Sequence, residues 1–572
     1  MLSPFRLLKT LATRSLIASL IVSLMVSLMG CNAMYLGFSA PAEQLSVSSF
    51  LKADNLTNKG LTHNNNPWYL TADQQIKEKN RLLNNINTQI GAAQNIILFV
   101  GDGMSLTTIT AARILEGQKK GLLGEENSLS FEHLPFSGLS KTYAVDAQVP
   151  DSASTSTAMF TGVKTNNRVL ALSEQATLGD CASMHGNELV TVFDLAEIAG
   201  LSTGFVTTTR VTHATPAALY AKSAHRDWED PSQMPESAIQ GGCKDIALQL
   251  VNYKTNLKNR FANATIDGIE VMMGGGLRHF LPTIDDKTGL SVDSVKRGQR
   301  TDNRNLVTEW QKIYPRGQYV DNLSDFERKV DKRTERVLGL FNLSHLRYET
   351  DREQKQASEP SLSEMTAKAI SILENNPKGY FLMVEAGRID HAHHVGNAYN
   401  ALQDTIELSE AVKVAIESTD ADKTLIIVTA DHGHVFTMGG YPKRGNPILG
   451  KVVPVGQSKP SLAADNLPFT TLGYALGRGH RHLAWETDAD LGYGLDIAAG
   501  RKDISGLDTT MPGFFQEALV PRESETHSGE DVPIYAVGPG SHLITGSNEQ
   551  TIIFHAINHA ADLVNKAASA LE

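Results

Sequence analysis

The chain contains 572 residues, of which 41% are hydrophobic and 20% charged, and its formal net charge is -11. This length exceeds one ordinary core, so we expect either one large domain with insertions or two domains. The composition is typical of a soluble globular protein, and the negative charge argues against nucleic acid as a partner. A small anionic substrate is not excluded, because metals and arginines set the local field of a site.

Residues 1–30 have the pattern of an export signal. Basic residues precede an apolar run over 15–29, which is too short to span a bilayer comfortably. The run ends in LMGC, which resembles a bacterial lipobox, so we expect cleavage before Cys31 and a lipid on that cysteine. Ordinary signal cleavage nearby and an uncleaved anchor are the alternatives. Because Asn32 rather than Asp follows, we expect attachment to the outer membrane, with the main domain in the periplasm or at the cell surface.

The polar residues after the signal predict a flexible tether over 31–66, and helical spacing over 71–83 predicts an N-terminal helix within about 70–90. Once Cys31 is assigned to processing, Cys181 and Cys243 remain. An oxidising compartment favours a disulfide between them, and two free buried thiols are the alternative.

A pattern of short apolar runs ending in acids, histidines or glycines then recurs along the chain. Such runs without alternation are typical of parallel strands that are covered on both faces, and helical segments over 361–374 and 401–417 lie between them. We therefore predict an α/β fold with a mostly parallel central sheet, whose ligands gather beyond the carboxyl ends of the strands. The predicted strands cover residues 95–100, 204–210, 380–384, 424–430 and 533–538.

Several carboxylates and histidines follow these strands. Asp390 and His394 are four residues apart and would share one face of a helical turn, and an oxygen with an imidazole suits zinc. Asp431 and His432 come directly after a strand, as does Asp102 in a Gly-Asp-Gly sequence. Each motif alone also fits a bland interpretation: a surface pair, a capping Asp beside a core His, or an ordinary turn.

Ser152 follows Pro150-Asp151 and precedes a run of small residues that can continue as a helix. Backbone N–H groups at a helix start favour an anion, and a serine beside zinc can act as a nucleophile. A helix N-cap in a Ser/Thr-rich turn is the alternative.

Together these blocks resemble the alkaline phosphatase family, most closely its animal-type members, from about residue 66 onward. The resemblance rests on DSA at 151–153 with TGVK at 161–164, TTTRVTHATPA at 207–217, EAGRIDHAHH at 385–394, TADHGH at 429–434 and ETHSGED at 525–531.

The resemblance implies two Zn²⁺ and one Mg²⁺ around Ser152, hydrolysis of phosphate monoesters through a phosphoserine, and a fork of Arg226, oriented by Asp151, on two phosphate oxygens. His391, His393 and His434 are expected to have supporting roles. The implied ligands are Asp390, His394 and His527 for one zinc; Asp102, Asp431, His432 and Ser152 for the other; and Asp102, Thr215 and Glu385 for magnesium, with His213 in its outer shell.

The resemblance also implies a homodimer, a Cys181–Cys243 disulfide, a catalytic domain over 67–440 and 512–572, and a crown-like insertion over 441–511. A further Ca²⁺ site is in doubt, because Phe341 is followed by Asn342 where the animal-type enzymes have Phe-Glu.

Two other interpretations remain. One is a phosphodiesterase or sulfatase relative on the same scaffold, which would usually have Thr or a modified Cys as nucleophile and lack the magnesium ligands. The other is a lipid-anchored binding protein that has lost activity, which predicts the loss of at least one metal ligand, whereas all of them are present.

Overall fold

The computed structural model describes residues 62–63, 65–83, 93–283, 298–355 and 357–572, which belong to the unit Thr57–Glu572. The predicted signal, Cys31 and nearly all of the predicted tether lie outside the described residues. Among the helices that the structure describes, none is both long and apolar enough to cross a lipid bilayer.

The strands of the described residues are numbered in chain order. They are β1 (Asn95–Gly101), β2 (Phe136–Lys141), β3 (Ser202–Arg210), β4 (Val271–Gly275), β5 (Gln318–Val320), β6 (Val337–Leu340), β7 (Tyr380–Ala386), β8 (Thr424–Ala430), β9 (Gly433–His434), β10 (Phe436–Met438), β11 (Leu472–Gly477), β12 (Arg481–His482), β13 (Phe514–Phe515), β14 (Ala518–Pro521), β15 (His527–Ser528), β16 (Val532–Val537) and β17 (Gly546–Glu549).

The α-helices are numbered in the same way. They are α1 (Pro67–Leu83), α2 (Leu106–Lys119), α3 (Ser152–Thr161), α4 (Val192–Ala199), α5 (Ala214–Tyr220), α6 (Glu236–Gln240), α7 (Ile246–Val251), α8 (Tyr253–Arg260), α9 (Leu306–Ile313), α10 (Leu323–Lys329), α11 (Glu349–Gln354), α12 (Leu362–Leu373), α13 (Arg388–Val395), α14 (Ala398–Ser418), α15 (Ile552–Ala561) and α16 (Leu563–Leu571).

A ten-stranded sheet in the order β17-β2-β16-β8-β1-β7-β3-β4-β6-β5 forms the centre of this unit. Its strands run parallel except β16, which is antiparallel to both β2 and β8. This confirms the predicted mostly parallel α/β fold, but the apolar run over 533–538 does not form a parallel strand. A buried antiparallel strand is equally apolar, so the run alone could not give its direction.

Both faces of the sheet are covered, and β1 shows this most clearly. Ile96 and Leu98 belong to one hydrophobic cluster, whereas Ile97 and Phe99 belong to another on the opposite face. Successive side chains of a strand point to opposite faces, so a strand without a polar face must have helices on both sides.

The predicted helices and the disulfide can be compared directly with the structure. Helix α1 begins at Pro67, earlier than residue 71, because proline fits the first turn of a helix. Ser361 caps α12 by accepting a hydrogen bond from Glu364 N. Cys181 and Cys243 are joined by a disulfide, so the alternative of two free thiols is wrong.

The proposed insertion over 441–511 contains β11, β12 and a long irregular chain. β11 pairs with β10 and β14, and β12 with β13, all of which lie outside that range. The boundaries of the insertion therefore remain a prediction.

Candidate metal centre and nucleophile

The sheet itself brings three acids together. β1 lies between β7 and β8, and the register pairs Val100 with Glu385 and Gly101 with Ala430. Asp102 and Asp431 directly follow their strands, so both stand at the same sheet edge as Glu385. Gly103, which directly follows Asp102, has φ +70°. A Cβ there would collide with the His434 ring, so a glycine is required at this position.

The first group of donor atoms surrounds the Ser152 hydroxyl. His432 Nε2 lies 3.2 Å from Ser152 Oγ, and 3.3 Å from both Asp102 Oδ1 and Asp431 Oδ2. Ser152 Oγ is in turn 3.4 Å from both Asp102 oxygens. A tetrahedral zinc with bonds of about 2.0–2.1 Å places its ligand atoms about 3.3 Å apart. These separations therefore fit one metal ion.

The second group consists of Asp390, His394 and His527. Asp390 Oδ1 lies 3.3 Å from the Nε2 atoms of both histidines, which are 3.1 Å from each other. Each histidine directs Nδ1 at a backbone carbonyl 2.7 Å away, on Glu525 and Pro150 respectively. The Nδ1 atoms therefore carry the protons, so two lone pairs and a carboxylate oxygen converge. That arrangement calls for a cation at their centre.

A possible ligand atom of His434 also lies within 4.8 Å of those of this group, but the contacts of His434 differ from theirs. Its Nε2 is 2.8 Å from Asp390 Oδ1, a hydrogen-bond length, and its Nδ1 is 2.5 Å from Glu525 Oε2. Burial alone would lower the pKa of His434, but the carboxylates of Glu525 and Asp390 raise it to about 10. Because each ring nitrogen of His434 faces a carboxylate oxygen, the ring can link Glu525 to Asp390 and hold the Asp390 carboxylate in place.

A third group contains Asp102, Glu385 and His213, whose possible ligand atoms all lie within 4.8 Å of one another. Burial raises the pKa of Glu385 to about 7. The hydrogen bond that Thr209 donates to Glu385 Oε2 at 3.0 Å acts in the opposite direction and lowers that pKa. The Thr215 hydroxyl, in the first turn of α5, also acts to lower that pKa. This oxygen-rich set suits a hard cation such as magnesium.

The carboxylates of the site are short of positive charge. Burial, and then repulsion from Asp431, raises the pKa of Asp102 well above its ordinary value. Burial also raises the pKa of Asp431. Both side chains are completely buried. Two neighbouring acids without a charged partner are costly in a folded protein, whereas divalent cations would neutralise both.

Ser152 is the first residue of α3. Asp151 is its N-cap, and Asp151 Oδ1 accepts a hydrogen bond from Ser154 N at 3.2 Å. Asp151 therefore has the capping role that was the alternative for Ser152. The Ser152 hydroxyl is free of the cap and faces the donor atoms of the first group, at the helix end that favours anions.

Arg226 is held over the same region by two contacts. Its Nη1 donates to Asp151 Oδ2 at 2.9 Å, and its Nη2 lies 3.1 Å from His213 Nε2. Although burial opposes ionisation, Arg226 holds the pKa of Asp151 below its ordinary value. A guanidinium fixed at both ends is suited to a bidentate anion.

Of the residues predicted as metal ligands, Ser152 lies beside the first group and Thr215 beside Glu385 of the third. The others belong to the groups themselves: Asp102, Glu385, Asp390, His394, Asp431, His432 and His527. Two residues of this region were not predicted from the sequence. They are Glu525, which orients His434, and His345, whose ring centroid lies 4.2 Å from that of His391. Glu525 is two residues before His527, and that spacing was the available signal. His345 carries no motif and is brought in by the loop after β6.

The doubtful calcium position contains an amide in place of an acid. Asn342 Nδ2 donates to Glu359 Oε1 at 2.6 Å, and Arg347 N donates to the other Glu359 oxygen at 2.8 Å. Both carboxylate oxygens are therefore already hydrogen-bonded, which does not favour a cation there.

An open cavity of about 610 Å³ lies against His394 and His527, between them and residues 522–526. The second group of donor atoms is therefore reachable from solvent, whereas Asp102, Asp431 and His432 are completely buried. A substrate would enter from the side of His394 and His527.

Comparisons with known proteins agree with this geometry. The tissue-nonspecific alkaline phosphatase isozyme of Gallus gallus is 41% identical over 497 residues, covering 86% of this chain and 89% of that protein, and the human isozyme is 40% identical over 482 residues, covering 84% and 85%. The Thermus thermophilus alkaline phosphatase structure is similar in fold, with a TM-score of 0.57 and 23% identity over 84% of this chain and 95% of that one. The model of the alkaline phosphatase family matches residues 93–563, and the chain belongs to that family.

Proposed function

We propose that this protein hydrolyses phosphate monoesters to an alcohol and inorganic phosphate, with Ser152 as the nucleophile. The observation that carries the proposal is the position of Ser152 Oγ, 3.2 Å from His432 Nε2 and 3.4 Å from the Asp102 oxygens, at the start of α3. A hydroxyl so placed can attack phosphorus while the helix start accommodates the anion.

The donor sets favour two Zn²⁺ and one Mg²⁺. Two groups combine imidazole with carboxylate, as zinc prefers, and the third is mainly oxygen. When bound, the metals would lower the pKa of the hydroxyl and of water and stabilise charge on the departing oxygen. One zinc would be held by Asp390, His394 and His527, the other by Asp102, Asp431, His432 and Ser152, and magnesium by Asp102, Thr215 and Glu385 with His213 beyond them.

The chain's own groups then divide the work. Arg226 binds two non-bridging phosphate oxygens, and Asp151 and His213 fix its orientation. Ser152 Oγ loses its proton and forms a bond to phosphorus as the bond to the leaving oxygen breaks. That oxygen takes up a proton and departs as the alcohol, which leaves a phosphoserine. Water then hydrolyses that ester and frees the serine. Because these contacts address the phosphate alone, we expect broad substrate specificity.

The first experiment compares Ser152→Ala with Ser156→Ala on 4-nitrophenyl phosphate. Ser156 lies on the same helix, and its hydroxyl donates to the α3 carbonyls of Ser152 and Ala153. We expect Ser152→Ala to lose several orders of magnitude in kcat and Ser156→Ala to remain active. Near-normal turnover by Ser152→Ala would refute the assignment. Chelation should abolish the wild-type activity, and added Zn²⁺ and Mg²⁺ should restore it.

The competing interpretations are separable by substrate and by metal content. A phosphodiesterase or sulfatase would prefer the diester or the sulfate ester of a phenol whose monoester is also tested. An inactive binding protein would release no phosphate at all. The combination of Ser152 with Arg226 and the third metal group favours the monoester.

We also propose that the protein is exported, carries a lipid on Cys31 and forms a homodimer. The support is the lipobox-like LMGC sequence for the first two and family resemblance for the third. Cys31→Ser should move the protein from the membrane fraction to the soluble fraction and abolish palmitate labelling. The mass in solution, measured by light scattering, should be twice that of one chain; a single-chain mass would contradict the dimer.

A further inference from the structure

A second cavity, of about 610 Å³, shares no residue with the metal centre. Its walls come from α7 and α8, the residues that follow α5, and the loops joined by the Cys181–Cys243 disulfide. Its volume lies in the range of about 300–1,000 Å³ that is usual for small-molecule sites.

Lys222 stands at the edge of this cavity with 15% of its side chain exposed. Its Nζ is 3.1 Å from Asp194 Oδ2, and that carboxylate has two further donors. Thr191 N donates to Oδ2 at 3.1 Å and the Tyr253 hydroxyl to Oδ1 at 3.0 Å. Both Asp194 oxygens are therefore committed to the fold, and the carboxylate is 2% exposed.

Arg260, the last residue of α8, supplies a second cation. Its guanidinium donates to the carbonyl oxygens of Glu188 at 2.8 Å and Leu189 at 3.3 Å, and no carboxylate of the described residues forms an ion pair with it. The charge of Arg260 also acts, after burial, to lower the pKa of Lys222, so the two cations interact. Three cationic side chains and two carboxylates line the cavity, in a chain whose net charge is -11.

Part of the wall is apolar. Met184, Leu257 and the disulfide line the cavity. A bare inorganic anion would leave this surface in water, whereas an apolar molecule without charge would leave Arg260 without a counterion. An anion with an apolar body satisfies both.

We propose that this cavity binds a small organic anion, whose charged group contacts Lys222 and Arg260 and whose apolar body lies on Met184, Leu257 and the disulfide. The site is separate from the proposed phosphatase reaction and does not depend on it.

The test uses 8-anilinonaphthalene-1-sulfonate as the probe, with fluorescence titration of the full-length metal-loaded protein. We expect saturation at one site. Arg260→Gln should weaken binding about fivefold, the effect of one partly exposed ion pair, whereas Lys258→Gln should leave it unchanged. Lys258 is exposed on the same helix and does not line the cavity.

Two further binding measurements test separately the location of the site and its recognition of charge. Asn256→Trp, which places a bulky side chain in the cavity from α8, should weaken probe binding while phosphatase activity is retained. N-phenyl-1-naphthylamine, which lacks the sulfonate, should bind more weakly than the sulfonate. Equal affinities for the sulfonate in Arg260→Gln and Lys258→Gln, or unchanged binding in Asn256→Trp, would overturn the site. Equal binding of the uncharged probe would overturn the recognition of charge.

Discussion

Replacing Arg226 by Ala tests the central electrostatic argument. The guanidinium is proposed to bind two phosphate oxygens, and each charge-assisted hydrogen bond contributes about 1.5–3 kcal/mol. Two such bonds give about 3–6 kcal/mol, which corresponds to roughly two to four orders of magnitude in kcat/KM. The loss should appear with 4-nitrophenyl phosphate and also as weaker inhibition by inorganic phosphate.

Two companion variants make this loss interpretable. Arg226→Lys keeps the charge but not the planar fork, so its kcat/KM should fall between those of the wild type and Arg226→Ala. Arg168 is a nearby arginine whose partner, Asp227, is 52% exposed, so Arg168→Gln should stay within about threefold of the wild type. If Arg226→Ala kept kcat/KM within tenfold, or if Arg168→Gln lost as much, the proposed contact would be wrong.

Three further outcomes are expected. His434→Ala removes the donor to Asp390 and leaves Glu525 without that partner. Zinc affinity, measured by competition with a chelator, should therefore fall about 10- to 100-fold. An unchanged zinc affinity would contradict this role of His434. Replacing Cys181 and Cys243 by Ala should lower the free energy of unfolding by about 4 kcal/mol in denaturant titration, because the disulfide spans 62 residues; a loss under 1 kcal/mol would contradict the chain-entropy argument. Burial lowers the pKa of Lys164 from 10.5 to about 8, so the contribution of this residue to stability is present above pH 10.5 and is lost as the pH falls through 8. The melting temperature of the wild type should therefore rise relative to that of Lys164→Met between about pH 8 and 10. The same pH dependence of melting temperature in both proteins would refute this.

Much of the site was predictable because residues at the ends of neighbouring parallel strands lie close together in the fold. Asp102, Glu385 and Asp431 each stand at the end of an apolar run, and adjacent parallel strands place such ends at one edge. Asp390 and His394 share a helical turn and therefore one face of α13. These are local patterns, and local patterns can be read from one sequence.

What could not be predicted depends on contacts between distant segments. The strand over 532–537 is apolar whichever way it runs, and its direction is set by where the chain returns from the irregular segment before it. The Glu525–His434–Asp390 chain joins three segments far apart in sequence. The family resemblance predicted a ligand role for His527, but the orientation of its Nδ1 toward Pro150 follows only from the assembled loops.

The relation between the metals and the fold follows from the same contacts. Asp102 and Asp431 are fully buried at neighbouring strand ends, and the Nε2 atoms of His394 and His527 face each other at 3.1 Å. Without cations, the carboxylates must take up protons or repel each other, and the imidazole lone pairs oppose one another. Because those strands form the middle of the sheet, metal binding should stabilise the whole unit as well as the reaction. The fold therefore brings together, at the centre of the sheet, carboxylates and imidazole lone pairs whose mutual repulsion the proposed cations would relieve.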